Sequence, residues 1–267
     1  MSQPIASALA TLPFELVYDD GEPLESDWHV MQHAFLRELL HQAMVEQGRT
    51  DTYAGGNMFV YYSVEQAREV VTKGAPFRGP DVFWVTGIDE PGRLRRAWIS
   101  WLEGGRLPDL IVELLSPSTA QIDRTVKKEL YARVFRTSEY YMYDPEPRKL
   151  EGLWLAGDAY QPMAPGDQGR LWSRQLGLFL GIWHGFREDK EADWVRLYRP
   201  DGTLVPTQKE RAEAERQRAE VALELVESER QRAEAARQRA DAERQRAEAA
   251  EAEMARLRAL LEGRGQA

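Results

Sequence analysis

The sequence contains no cysteine, which excludes disulfide frameworks, cysteine-ligated zinc, iron–sulfur clusters and thiol nucleophiles. It has no run of about 18 apolar residues, the length a membrane-spanning helix needs. The opening MSQPIASALATLPFEL lacks the basic n-region and sustained apolar stretch of an export signal. A cytoplasmic protein with no membrane segment is therefore expected. Histidine is scarce, with four residues, and His29 and His33 frame Val30 where the H-E-x-x-H zinc motif has glutamate. Neither G-x-x-x-x-G-K-[ST] nor G-x-G-x-x-G occurs. Positive charge is also in deficit: 35 Lys+Arg face 44 Asp+Glu, net −9, so bulk attraction cannot hold nucleic acid and any contact with it must be local.

Composition divides the chain at Pro206. All 8 Trp, 10 Tyr and 8 Phe precede it, and residues 207–267 contain no aromatic, no proline and only Gly263 and Gly265. Residues 1–206 can bury a core and are expected to form one domain. Residues 207–267 cannot. That tail carries 13 basic and 14 acidic residues, so nearly all the net acidity lies in the first part. Helix-forming Ala, Glu, Arg and Gln fill it, and the pattern predicts one helix over Lys209 to Glu262, roughly 80 Å long at about 1.5 Å per residue. Ala212, Ala219, Val226, Ala233, Ala240, Ala247, Met254 and Leu261 form a heptad "a" row. The "d" row is mixed, with Glu215, Glu229 and Glu243 among Ala222, Ala236, Ala250 and Leu257. Acid–arginine pairs at i,i+3, such as Glu213–Arg216 and Glu243–Arg246, would support even a solvated single helix. A weak two-chain coiled coil and a solvated helix both fit.

In the first part, Ser26 or Asp27 can cap a helix running to Gly48 with Leu36, Leu39, Leu40, Ala43 and Met44 as its apolar stripe. Strand-like runs follow at Asn57–Tyr62, Asp81–Thr86, Ala97–Leu102 and Asp109–Leu115. Ala120 to Phe135 reads as a helix, with Ile122, Val126, Leu130 and Val134, spaced by four, as its expected buried face. Further strands are expected at Glu139–Tyr143, Lys149–Leu155, Ala159–Met163 and Trp194–Tyr198. The fold class is mixed α/β (α+β), around a mostly antiparallel sheet.

Chemistry concentrates near Glu113, which interrupts the apolar run Leu110-Ile-Val-Glu-Leu-Leu115. A carboxylate inside a covered strand costs several kcal/mol unless a cation or donors compensate. Strand alternation could instead place it on a wet face with Asp109 and Ile111. Two Pro-Asp dipeptides offer a second carboxylate. Asp109 lies about 13 Å along the same strand, too far to share an ion. Asp81 opens a different strand that can lie beside that of Glu113, although a turn aspartate is also a common strand opener. In the following helix, Asp123, Lys127 and Tyr131 stack at i, i+4, i+8, and Lys128 is turned about 100° away. The stack reads either as a surface ion pair or as an ammonium swung over the two carboxylates. His29, His33 and His41 share the first helix and read as packed or solvated.

Gly79-Pro-Asp-Val-Phe, Pro108-Asp-Leu-Ile-Val-Glu-Leu-Leu-Ser-Pro-Ser-Thr, Asp123 with Lys127 and Tyr131, and Glu139-Tyr-Tyr-Met-Tyr-Asp-Pro together resemble the bacterial Uma-two family of restriction endonucleases, within the PD-(D/E)XK superfamily. The resemblance spans about residues 14–200 and implies a restriction-endonuclease-like core that cleaves DNA. It implies that Asp81 and Glu113 hold Mg²⁺ or Mn²⁺, with the Leu114 carbonyl as a possible further ligand and Lys127 as the catalytic ammonium. The superfamily pattern has lysine two residues after the glutamate, where this chain has Leu115, so the ammonium must come from the helix. Glu38 is a possible additional acid. The alternatives are a degenerate nuclease fold serving as a nucleic-acid-binding or assembly module, and a nuclease acting on RNA or unusual ends.

Overall fold

The structure is a computed structural model and describes residues 12–17, 26–74 and 79–264. The opening residues 1–11 and the side chains of Leu257 and Leu261 lie outside the described residues. The chain divides into two units, Met1–Gln208 and Lys209–Ala267.

In the first unit, α1 spans Asp27–Glu46, capped by the Ser26 side chain, which accepts from the His29 N–H. Its expected stripe, Leu36, Leu39, Leu40, Ala43 and Met44, is buried, together with Met31 and Phe35. β1 (Thr52–Gly55), β2 (Val60–Tyr61), α2 (Val64–Lys73), β3 (Val82–Thr86) and β4 (Trp98–Ile99) follow, then β5 (Leu110–Leu114). Only two residues of each of the runs Asn57–Tyr62 and Ala97–Leu102 are strand, and the second ends in a 3₁₀ turn at Ser100–Leu102. After a helical segment come β6 (Glu139–Asp144), β7 (Lys149–Ala156), β8 (Ala159–Pro162), β9 (Leu171–Ser173), β10 (Leu178–Arg187) and β11 (Lys190–Tyr198).

The main sheet has the order β1-β3-β5-β6-β7-β8 and is antiparallel except for the β5–β6 pair. β9, β10 and β11 form a second antiparallel sheet. The fold is therefore mixed α/β with mostly antiparallel pairing. β5 is an inner strand and every one of its residues is buried. One face of the main sheet, carrying Val82, Trp84, Leu110, Val112 and Leu114, packs with α1 and the second sheet. The other, with Phe83, Val85, Ile111, Leu115, Tyr140 and Met142, packs with Tyr131, Ala132 and Phe135 of the helical segment. Burial of a Phe or Leu side chain is worth about 1.5–3 kcal/mol, so α1 is held mainly by this face. Gln32 adds direction, since its buried amide donates to the Val195 carbonyl and accepts from the Val195 N–H.

The helical segment, α3, differs from the sequence expectation in its buried face. It alternates α turns at Ala120–Ile122 and Lys128–Leu130 with π turns at Asp123–Lys127 and Tyr131–Phe135. Ile122, Val126 and Val134 are 41%, 50% and 43% exposed, whereas Asp123, Tyr131, Ala132 and Phe135 are buried. The i→i+5 turns widen the helix and rotate its polar stack inward. What faces the sheet is chosen by the carboxylate on β5 and by the aromatic residues of the second half; of the expected stripe only Leu130 packs against the core, and Ile122, Val126 and Val134 are left outside.

The second unit is described by one helix, α4 (Gln208–Arg264), 57 residues long. Val221, Leu223, Leu225, Val226 and Met254 are 55–70% exposed. Arg216 pairs with Glu220 and Arg244 with Glu248 at i,i+4 along it.

Candidate active site

Strand register builds the site. β3 and β5 are antiparallel with Val82 opposite Val112, so Asp81 and Glu113 fall opposite one another one residue further out. The Asp81 N–H donates to Glu113 Oε2 at 3.2 Å, and the Leu114 N–H donates to Asp81 Oδ2 at 2.6 Å. Gly56 allows this approach, because a Cβ built there would meet the Asp81 carbonyl oxygen at 2.1 Å and His33 Nε2 at 2.5 Å. The competing Asp109 sits at the other end of β5, where Oδ2 accepts from the Thr86 N–H and hydroxyl at 2.7 and 2.9 Å.

α3 closes over the pair. Lys127 Nζ lies 3.1 Å from Glu113 Oε1 and 2.8 Å from Asp123 Oδ1, and the Tyr131 hydroxyl donates to Glu113 Oε1 at 2.7 Å. Glu113 and Asp123 are 0% and 1% exposed. The wet-face reading of Glu113 and the surface-pair reading of Asp123–Lys127 are thereby both excluded. The Tyr140 hydroxyl donates to the Asp123 carbonyl at 3.0 Å, which ties α3 to β6.

Three carboxylates share this buried cluster with one ammonium. Burial raises the pKa of Glu113 to about 7 against the opposing Lys127 charge, and the neighbouring Asp81 adds to the rise. Asp81 and Asp123 are also raised, each chiefly by burial. Burial alone would lower Lys127, but Glu113, Asp123 and Asp81 reverse this and hold it protonated above the usual lysine range. Tyr131 is pushed well up by burial and by Glu113, so its phenol stays a donor.

A second buried carboxylate provides a contrast. Glu139 accepts from the Tyr141 and Ser173 hydroxyls and from the Arg174 and Gln175 N–H groups. Neutral donors suffice there, and it clamps β6 to the β9 turn. The Glu113 cluster instead gathers like charge, an excess of two negative charges when all three acids are ionised. Among the described residues no group of three or more His, Asp or Glu side chains has metal-holding geometry. The donor set nonetheless fits a hard divalent cation: two carboxylates side by side, all oxygen, with the Leu114 carbonyl on the same strand.

Two neighbours were not legible from spacing. His29 Nε2 is 2.9 Å from the Leu114 carbonyl oxygen and Nδ1 is 3.0 Å from Ser26 Oγ, so the first turn of α1 is anchored to the strand that carries Glu113. A cavity of about 370 Å³ adjoins this contact, lined by Trp28, His29, Ser116, Asp144 and Glu146. Glu38 plays no part in the cluster; it accepts from Arg187 at 3.5 Å and from the Gln208 N–H at 3.0 Å.

The site thus sets carboxylates on adjacent strands against an ammonium from the next helix. The sequence model described as "Uma2: Putative restriction endonuclease" matches residues 10–187, and the chain belongs to that family. Among solved structures, it is similar to a "putative nuclease belonging to DUF820" from Anabaena variabilis, at 13% identity and a TM-score of 0.41, covering 60% of this chain and 81% of that one. No curated protein matches. Among the described residues no helix is long and apolar enough to cross a membrane.

Proposed function

We propose that this protein is a divalent-metal-dependent endonuclease that hydrolyses phosphodiester bonds in DNA, acting in the cytoplasm. The carrying observation is the buried Asp81–Glu113 pair on adjacent strands, with Lys127 from α3 in contact with Glu113. Asp81 and Glu113, with the Leu114 carbonyl, would hold Mg²⁺ or Mn²⁺. When bound, the ion supplies Lewis acidity to the scissile phosphate and to the attacking water. Tyr131 orients Glu113 through Oε1. Lys127, held protonated, serves as a fixed positive charge for the phosphorane that develops in the transition state, and it is not a base. It supplies from α3 the ammonium that Leu115 cannot, and its 3.1 Å contact with Glu113 supports that assignment. His29 keeps the strand carrying the ligands in place through Leu114.

A second reading, a catalytically silent nuclease fold used for binding, is favoured by Asp144 and Glu146 on the adjoining cavity, which repel a phosphate. The deciding experiment incubates the protein with plasmid, single-stranded DNA and RNA in Mg²⁺ or Mn²⁺. Cleavage by wild type that Glu113→Gln abolishes supports the enzyme. Metal binding without cleavage of any of the three supports the binding module.

A further inference from the structure

Between α1 and β1, along the edge of the main sheet, lies a groove of about 610 Å³ lined by Arg37, His41, Arg49, Thr50, Thr52 and Tyr53. Arg37 donates through Nε to the Ala54 carbonyl at 3.3 Å. Arg49 donates to the Gln175 carbonyl at 3.2 Å and stacks 4.7 Å over the Trp84 ring. These contacts fix both guanidiniums on carbonyls and a ring, and neither has a carboxylate partner among the described residues. The groove's own acid, Glu38, is engaged by Arg187 and the Gln208 N–H. Two fixed positive charges thus stand uncompensated on a chain of net −9.

Residues next to the groove reach the backbone of Asp81. His33, one turn before Arg37 on α1, packs against Gly56, and Gly56 lies against the Asp81 carbonyl. From Gly56 back to Thr52 is about 13 Å of strand, the rise of about four stacked nucleotides at about 3.4 Å each. A guanidinium is weakly hydrated and forked, which suits it to the paired oxygens of a phosphate.

We propose that this groove binds the phosphodiester backbone of a nucleic-acid strand extending from the Asp81–Glu113 site, with Arg37 and Arg49 each neutralising one phosphate. The proposal rests on the nuclease reading of that site.

The test is fluorescence anisotropy of labelled single-stranded DNA, duplex DNA and RNA on the full chain in EDTA, from 50 to 200 mM salt. Each phosphate contact contributes about 0.7 to the log–log salt slope for single strands and about 0.9 for duplex. Arg37→Gln/Arg49→Gln should lower the slope by about 1.4 or 1.8 and weaken binding at least about tenfold at low salt. Ala34→Glu, which adds a negative charge to the exposed wall and removes no contact, should weaken binding in the same direction even if the double variant folds poorly. An unchanged slope with unchanged affinity for Ala34→Glu overturns the groove, as does an equal loss from Arg133→Gln/Arg148→Gln on the exposed surface. Cleavage is scored in parallel. Groove-dependent binding without cleavage defeats only the nuclease reading, cleavage with no binding or an unaltered slope defeats only the groove, and neither binding nor cleavage by wild type defeats both.

Discussion

At the residue scale, Lys127 has two duties that separate experimentally. Its ammonium balances Glu113 and Asp123 in the resting protein, and in the proposed reaction it faces the charge on the phosphate. Lys127→Ala is expected to lower cleavage by about 10²-fold or more while Mn²⁺ still binds. Leaving buried carboxylates uncompensated should also cost the metal-free protein about 3–5 kcal/mol, read by denaturant melts and recovered on adding Mn²⁺. Lys128→Ala should be near neutral in both assays; if it were the inactivating change, Lys127 would not be the ammonium that serves the site. His33 gives a pH dependence of its own. Burial lowers its pKa to about 4 from 6.5, with Arg37 acting in the same direction and the Gly56 backbone opposing. The unfolded chain therefore binds a proton that the folded one refuses. The stability this provides is complete above pH 6.5 and is lost as pH falls towards 4, by at most about 3 kcal/mol. Urea melts of wild type and His33→Asn at pH 7 and pH 4.5 should show the variant with the shallower acid loss; parallel losses would contradict the assignment.

At the element scale, α1, β3, β5, α3 and β6 were all legible because their apolar residues repeat at helical or strand spacing, and Ser26 marks the start of α1. The cross-strand meeting of Asp81 and Glu113 was legible as a possibility, and the register Val82↔Val112 realises it. What the sequence hid has identifiable causes. α3 carries two competing stripes at spacing four, and apolar counting selects Ile122–Val126–Leu130–Val134 when the polar stack is the buried one. Nothing local reveals that a carboxylate awaits on β5. Of the β10–β11 hairpin only Trp194–Tyr198 was expected; β10 and the turn escaped because the turn residues, Glu188 and Asp189, take φ values of +49° and +63° without the Asn-Gly or Asp-Gly pair that normally announces such a turn. α2 was missed although Ser63 caps its start and Gly74 its left-handed end. The reversed face of α3 predicts that Val126→Ser shifts stability by no more than about 0.5 kcal/mol, whereas Phe135→Ala costs about 3–5 kcal/mol. Chemical denaturation decides between the two, and a large loss for Val126→Ser would return the stripe to the core.

At the scale of the whole molecule, the long helix α4 is set apart by composition, and its apolar residues are solvent-exposed along its described length. Alanine at most "a" positions buries little on pairing, and Glu215, Glu229 and Glu243 at "d" repel their equivalents in a parallel dimer. These opposing contributions predict weak, concentration-dependent dimerisation. Sedimentation equilibrium should show full-length chains associating in the high micromolar range and a chain ending at Pro206 remaining monomeric. A monomeric full-length chain would favour a solvated helix, and a dimeric truncated one would move the interface to the first unit.

The claim at the centre of the account is that Asp81 and Glu113 form one divalent-metal site. Calorimetric titration of Mn²⁺ at pH 7 into wild type and into Asp81→Asn/Glu113→Gln tests it most directly. Repeating the titration in two buffers of different ionisation enthalpy counts the protons displaced from the pair, whose carboxyls burial pushes up. The account predicts one Mn²⁺ bound per wild-type chain with net proton release, and no binding by the double variant. Equal binding by both proteins, or binding to wild type with no proton release, would contradict it.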